Sequence, residues 1–153
     1  MRISAKADYA VRAAAELAAA ESEGKPVKGE QLSRAQGIPH KFLENILADL
    51  RRAGLVRARR GAEGGYSLSR TGAEITVADV LRAVEGPLAA VQGTRPEGLH
   101  YPGAAARLPE VWVALRANVR AVLERVTLAD LATGTLPDGI LALTTEADAW
   151  QPH

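Results

Sequence analysis

The sequence predicts a mainly α fold carrying one small β-hairpin, and three observations predict it. Apolar residues recur at helical spacing through much of the chain, a glycine-rich turn separates two short strand-like runs between residues 55 and 69, and from Arg107 an apolar seam repeats every three or four residues. Composition agrees: 47% of the 153 residues are hydrophobic and only 4% aromatic, so the core is built largely from Ala, Leu and Val. That length buries one ordinary core with a small appendage or oligomerisation element beside it.

Residues 3–22 read as the first helix. Ile3, Ala7, Ala10, Val11, Ala14, Leu17 and Ala18 fall near a helical period, while Lys6, Arg12 and Glu16 lie elsewhere on the wheel. Gly24 and Pro26 stop it. Residues 29–36 form a short helix around Leu32 and Ala35, and Gly37-Ile38-Pro39 supplies a turn. A third helix begins near His40, with Leu43, Ile46, Leu47 and Leu50 at the i, i+3, i+4, i+7 spacing of a buried face reinforced by Phe42. Its other face shows His40, Lys41, Glu44, Asn45 and Ala48, and Gly54 suits a left-handed cap at its end. A short helix, a tight turn and a longer helix make a helix-turn-helix.

Residues 55–60 and 66–69 read as two strands, because Gly61, Gly64 and Gly65 allow the positive φ values that a hairpin loop needs. A hairpin directly after a helix-turn-helix is a wing. Residues 76–85 make another helix, with Thr76 as N-cap and Asp79 three residues on, followed by a Gly- and Pro-containing loop. From Arg107 a long helix places Leu108, Trp112, Leu115, Val119, Val122 and Val126 at spacings of 4, 3, 4, 3 and 4, an a/d seam. Thr127 with Asp130 caps a short final helix. The expected organisation is a winged helix-turn-helix DNA-binding domain over residues 1–85, a loop over 86–106, a seam-bearing helix with a short final helix over 107–133, and a tail over 134–153.

Charge divides the chain in the same place. Residues 1–70 hold 13 Lys and Arg against 8 Asp and Glu, a balance of +5, whereas residues 71–153 hold 6 against 10, a balance of −4. A basic N-terminal half suits a polyanion, and the remainder does not. No apolar run reaches the ~20 residues of a membrane span, and Met1-Arg2-Ile3-Ser4 lacks the apolar stretch of a signal peptide, so a cytoplasmic protein with no membrane partner is expected. There is no cysteine, which removes disulfides and thiolate chemistry. With no Cys nucleophile, no His-based constellation and no phosphate loop, the sequence does not read as an enzyme.

Taken in order, these features resemble the Rrf2 family of bacterial winged-helix transcription regulators. The resemblance runs from Lys6-Ala7-Asp8-Tyr9-Ala10 through Phe42-Leu43-Glu44-Asn45-Ile46-Leu47, Leu50-Arg51-Arg52-Ala53-Gly54-Leu55-Val56, the wing and Ile75-Thr76-Val77-Ala78-Asp79-Val80 to Thr127-Leu128-Ala129-Asp130-Leu131. It implies a sensor-type loop over residues 86–106 and a homodimer in which the helix from Arg107 is the dimerisation helix and crosses its partner, as the a/d seam independently supports, with recognition helices entering successive major grooves of a pseudo-palindromic double-stranded operator. It also implies three cysteines in the loop over residues 86–106, where many members hold an iron–sulfur cluster; here that loop has none, so no cofactor is expected. Asp8, in the helix from which some members draw a cluster ligand, and His100, in the loop, are the only residues that suggest a metal, and neither brings a soft thiolate with it.

The expected sequence readers are His40, Lys41, Glu44 and Asn45, since Asn pairs with adenine and Glu accepts from the cytosine amino group; Glu44 could instead orient a neighbouring Arg or Lys. Arg60 at the wing tip is placed to enter a minor groove, with Arg57 and Arg59 on phosphates beside it. Lys6, Tyr9, Lys28, Arg51 and Arg52 are further candidate phosphate contacts. Trp112 fits the dimer seam or a ligand pocket. Two functions compete: a repressor controlled by a small molecule under the loop or by a protein effector on the acidic half, and a protein-interaction adaptor that docks on a metabolic enzyme with its DNA binding weak or lost.

Overall fold

The computed structural model describes all 153 residues, and its organising element is the alanine-rich first helix, α1 (Ala5–Ala19). Ser4 caps it by accepting from the Ala7 N–H at 3.0 Å. Ala10, Ala13 and Ala14 are buried on one face, and their small side chains let α2 (Gly29–Gln36), α3 (His40–Arg52), α4 (Val77–Glu85) and α6 (Leu128–Thr133) all pack against the same helix. The helix is shorter than the periodicity suggests. Ile3 is 79% exposed, and residues 21–23 form a separate 3-10 turn ended by Gly24 at φ 63°.

The turn between α2 and α3 forms as expected, with Gly37 at φ 61° and the Ser33 hydroxyl donating to the Ile38 carbonyl at 2.6 Å. That bond fixes the entry to α3, whose Leu43, Ile46, Leu47 and Leu50 are buried together with Leu32 and Ile38. Phe42 does not join them. It lies about 100° around the helix from Leu43, is 47% exposed, and meets the edge of Tyr9 at a centroid distance of 5.7 Å.

Strands β1 (Val56–Arg59) and β2 (Gly65–Leu68) pair antiparallel in the register Val56 with Leu68 and Arg59 with Gly65. Val56 and Leu68 are buried at the base and anchor the hairpin to the core. A third segment, not anticipated, joins it: Val27 exchanges both backbone hydrogen bonds with Tyr66, at 2.8 and 2.7 Å. The hairpin with its helix-turn-helix is a winged helix.

Two capping boxes stand side by side beyond the wing. Thr76 with Asp79 caps α4, Thr127 with Asp130 caps α6, and the two Thr residues form a β-bridge. The Val77 N–H donates to Val126 and the Leu128 N–H to Ile75, each at 2.9 Å, so the end of the chain closes onto the N-terminal domain. This corrects the reading of Val126. The long helix α5 (Leu108–Leu123) ends before it, and Val126 is buried in this chain's own core rather than on the helix that carries the seam. Residues 134–153 are more structured than a tail, forming α7 (Asp138–Ala142), whose Ile140 is buried, and a 3-10 turn over Ala147–Trp150.

Leu108, Trp112, Leu115, Val119 and Val122 of α5 are half-buried, and residues 96–98 of the preceding loop pack on this helix. The Trp112 Nε1 is closed off from solvent without a hydrogen-bond acceptor. At the helix end Glu124 accepts from Arg120 Nε at 2.9 Å and from Arg82 of α4. The hydrogen bonds from Arg120 first, and from Arg82 second, hold its carboxyl below the ordinary value. A carboxylate lowered in the folded state adds stability above its unfolded pKa, and loses that contribution as the pH falls through the lowered folded value. Glu124→Gln is therefore expected to melt at a slightly lower temperature than the parent at neutral pH, with the difference vanishing in acid. Thermal melts across a pH series check this, and a difference that persists into acid would overturn it.

Candidate nucleic-acid interface

The buried stripe of α3 dictates what its outer face presents. With Leu43, Ile46, Leu47 and Leu50 turned inward, the 100° step per residue sends Lys41, Asn45, Ala48 and Arg52 outward, and all four are exposed. Glu44 flanks this strip and lies 3.2 Å from His40 one turn earlier, an exposed pair in which His Nε2 faces the carboxylate. Lys28, at the start of α2, lines the same shallow cleft as His40 and Glu44, with a volume of about 290 Å³. These residues form one continuous polar surface.

A second cleft, of about 660 Å³, separates the end of α3 from β1 and is lined by Arg51, Arg52 and Arg57. Strand alternation places Arg57 and Arg59 on one side of the hairpin, and both are exposed. Beyond them Arg60 enters the turn closed by the Gly64 N–H to the Gly61 carbonyl at 2.9 Å. The three glycines of this turn serve different needs. Gly61 takes a φ of 104° with open space around it, Gly64 is required by space, since a Cβ there would lie 2.1 Å from the Arg59 carbonyl oxygen, and Gly65 combines a φ of 148° with a Cβ position 2.6 Å from the Val27 carbonyl oxygen.

The residues on the α1 side stand apart. Lys6 Nζ pairs with Asp49 of α3 at 2.6 Å, and the same carboxylate holds Arg52. Tyr9 is half-buried beneath Phe42, with the Arg12 guanidinium 4.8 Å from its ring centroid, a cation–π contact. Lys6 and Tyr9 thus brace α1 against α3. One cation escaped the sequence reading: Lys25 lines a cleft of about 460 Å³ with Arg57 and Arg59, brought there by the bridge between Val27 and Tyr66. The signal available in sequence was its place two residues before Val27, but no local pattern predicts that bridge.

No group of three His, Cys, Asp or Glu side chains converges as a metal site would require. Asp8 Oδ2 lies 3.2 Å from Arg12 Nε, and His100 is exposed in the loop. The helices offer no membrane element either, as none is long and apolar enough to cross one.

Comparison with known proteins follows this geometry. Residues 3–134 match the family model Rrf2, described as an iron-dependent transcriptional regulator. The chain is 54% identical over 143 residues to Rv1287 of Mycobacterium tuberculosis, named as an HTH-type transcriptional regulator, covering 94% of this chain and 88% of that one. The structure is similar to that of CymR, described as the global cysteine regulator of B. subtilis, with a TM-score of 0.73 at 36% identity, over 88% of this chain and 98% of the other. It is also similar to T. potens IscR, with a TM-score of 0.70 at 30% identity, over 99% and 97%. These relatives and neighbours are transcriptional regulators, not enzymes.

Proposed function

Because the chain belongs to the Rrf2 family of helix-turn-helix transcriptional regulators, we propose that it represses transcription as a cluster-free homodimer bound to a pseudo-palindromic operator. The observation that carries this reading is the outer strip of α3, where Lys41, Glu44 and Asn45 stand exposed on a helix whose opposite face is locked into the core. A helix held that rigidly can lay its polar face in a major groove, where Asn45 addresses adenine and Glu44 the cytosine amino group. Arg60 follows the minor groove, and Arg51, Arg52, Arg57, Arg59 and Lys28 neutralise phosphates. Lys25 joins that set.

Homodimerisation is supported by the apolar surface that one protomer leaves uncovered. A groove of about 650 Å³ runs between the N-terminal arm and α5, lined by Met1, Ile3, Leu81, Val119, Val122 and Leu123. Met1 is 95% and Ile3 79% exposed, and a second copy crossing at α5 would cover them. The iron–sulfur cluster of many family members does not fit the donor set present: the sequence holds no cysteine, and no three hard or borderline ligands converge. Input must then reach the DNA-binding half by another chemistry.

Asn45→Ala and Arg60→Ala are each expected to weaken operator binding by about 1–3 kcal/mol, Asn45→Ala while leaving non-specific DNA binding nearly unchanged. Lys28→Ala should instead weaken all sequences alike and reduce the slope of affinity against salt by about one counterion. It should exceed Lys6→Ala in this, because Asp49 already partly neutralises Lys6. Anisotropy titrations on the upstream region of its own gene, at several salt concentrations, separate these outcomes. Absence of any salt-sensitive complex would defeat the repressor reading and favour the protein-interaction adaptor.

A further inference from the structure

The acidic half of the chain holds only six basic residues, and four of them meet. Arg82 of α4, Arg95 of the loop, and Arg116 and Arg120 of α5 line one cleft of about 440 Å³, together with Glu97 and the apolar rim of Pro87 and Leu88. A segment with net charge −4 has no need to gather its cations, so their convergence calls for a ligand.

Three carboxylates answer four guanidinium groups. Glu97 pairs with Arg116, Glu124 is shared between Arg82 and Arg120, and Asp79, which caps α4, lies 3.8 Å from Arg82. Arg95 has no ion-pair partner. Each guanidinium carries five N–H donors in a fixed fork, so these acceptors use a minority of them, and the rest remain free to bind a planar anion two at a time. The cleft volume lies in the range of small-molecule sites.

We propose that this cleft binds a small organic anion carrying two or more negative charges, as carboxylates or phosphates, with Arg95 and Arg120 as its principal contacts. The occupant bridges three elements, α4, the loop over residues 86–98, and α5, whose charged links across this cleft are those of Glu97 and Glu124. Because α4 packs against both α1 and α3, an anion that draws the loop and α5 onto α4 acts on the support of the recognition helix. The proposal deepens the reading of this loop as the input side, but its test needs no DNA, so either can fail without the other.

Isothermal titration of the full chain with citrate and with inorganic pyrophosphate, against acetate and chloride at matched ionic strength, tests it. One saturable site per chain is expected for at least one of the two multivalent probes, citrate pointing to a carboxylate ligand and pyrophosphate to a phosphate one. Arg95→Gln, which breaks no ion pair, and the double variant R95Q/R120Q should each lower the affinity, the double by about tenfold or more. The wing variant R59Q/R60Q should bind the probe as the parent does. The proposal is overturned if neither probe saturates by ~1 mM, if R95Q/R120Q with a parental circular dichroism spectrum binds unchanged, or if the wing variant is the one that loses binding.

Discussion

Gly64→Ala is expected to disorganise the wing tip and to lower operator affinity by about tenfold to a hundredfold, at least as much as removing Arg60 itself. A Cβ at position 64 would sit 2.1 Å from the Arg59 carbonyl oxygen and 2.8 Å from the Arg60 carbonyl carbon. Both are backbone atoms, so no rotamer change relieves the contact, and the hairpin must open at its last pair, Arg59 with Gly65. The base, held by buried Val56 and Leu68, stays closed. Anisotropy titration should therefore show weakened specific binding in a protein whose far-ultraviolet circular dichroism remains parental. Undiminished operator affinity would remove the wing from the interface. Gly61→Ala is the informative contrast, because nothing lies within 4 Å of its Cβ and only its φ of 104° is strained, so it should do less harm.

Leu128→Ala is expected to reduce the unfolding free energy by about 2–5 kcal/mol, a large share of the stability of a domain this size. Leu128 is fully buried in the same cluster as Leu17, Ala18 and Ile75, and its N–H donates to the Ile75 carbonyl. The substitution leaves a cavity where the end of the chain docks on α1, with α6 on one side and the capping box of α4 on the other. Urea denaturation followed by circular dichroism measures the loss. A cost under about 1 kcal/mol would mean that α6 is an appendage rather than part of the core. Val119→Ala, at a half-buried position of α5, should cost less in unfolding free energy than Leu128→Ala and, if the proposed homodimer forms through α5, should make melting more dependent on protein concentration.

The elements legible in sequence are those whose signal is local. Leu43, Ile46, Leu47 and Leu50 fix both the presence of α3 and its inward face, and Thr76-to-Asp79 and Thr127-to-Asp130 announce two helix starts that form as capping boxes. Phe42 misled, because an aromatic beside an apolar stripe looks like core, yet its angular position aims it at Tyr9 on α1. Val126 misled for a related reason. It continues the 4, 3 spacing of the seam, but the helix ends at Leu123, and a spacing rule has no meaning past the end of the helix that defines it. Of the candidate DNA contacts, His40, Lys41, Glu44 and Asn45 are neighbours by helix geometry alone, while Lys6 and Arg52 prove to share Asp49, a contact between distant segments.

The sequence by itself determined the mainly helical class, the helix-turn-helix, the wing and its tip arginine, and the absence of cysteine ligands, since each follows from periodicity, turn chemistry or composition over a few residues. Only the tertiary structure decided which cations stand together. The bridge between Val27 and Tyr66 brings Lys25 to Arg57 and Arg59, and the packing of the loop and of α4 on α5 gathers Arg82, Arg95, Arg116 and Arg120 from positions up to 38 residues apart. Charges so separated in the chain carry no local signature, because what places them is the burial of apolar side chains elsewhere on the same elements.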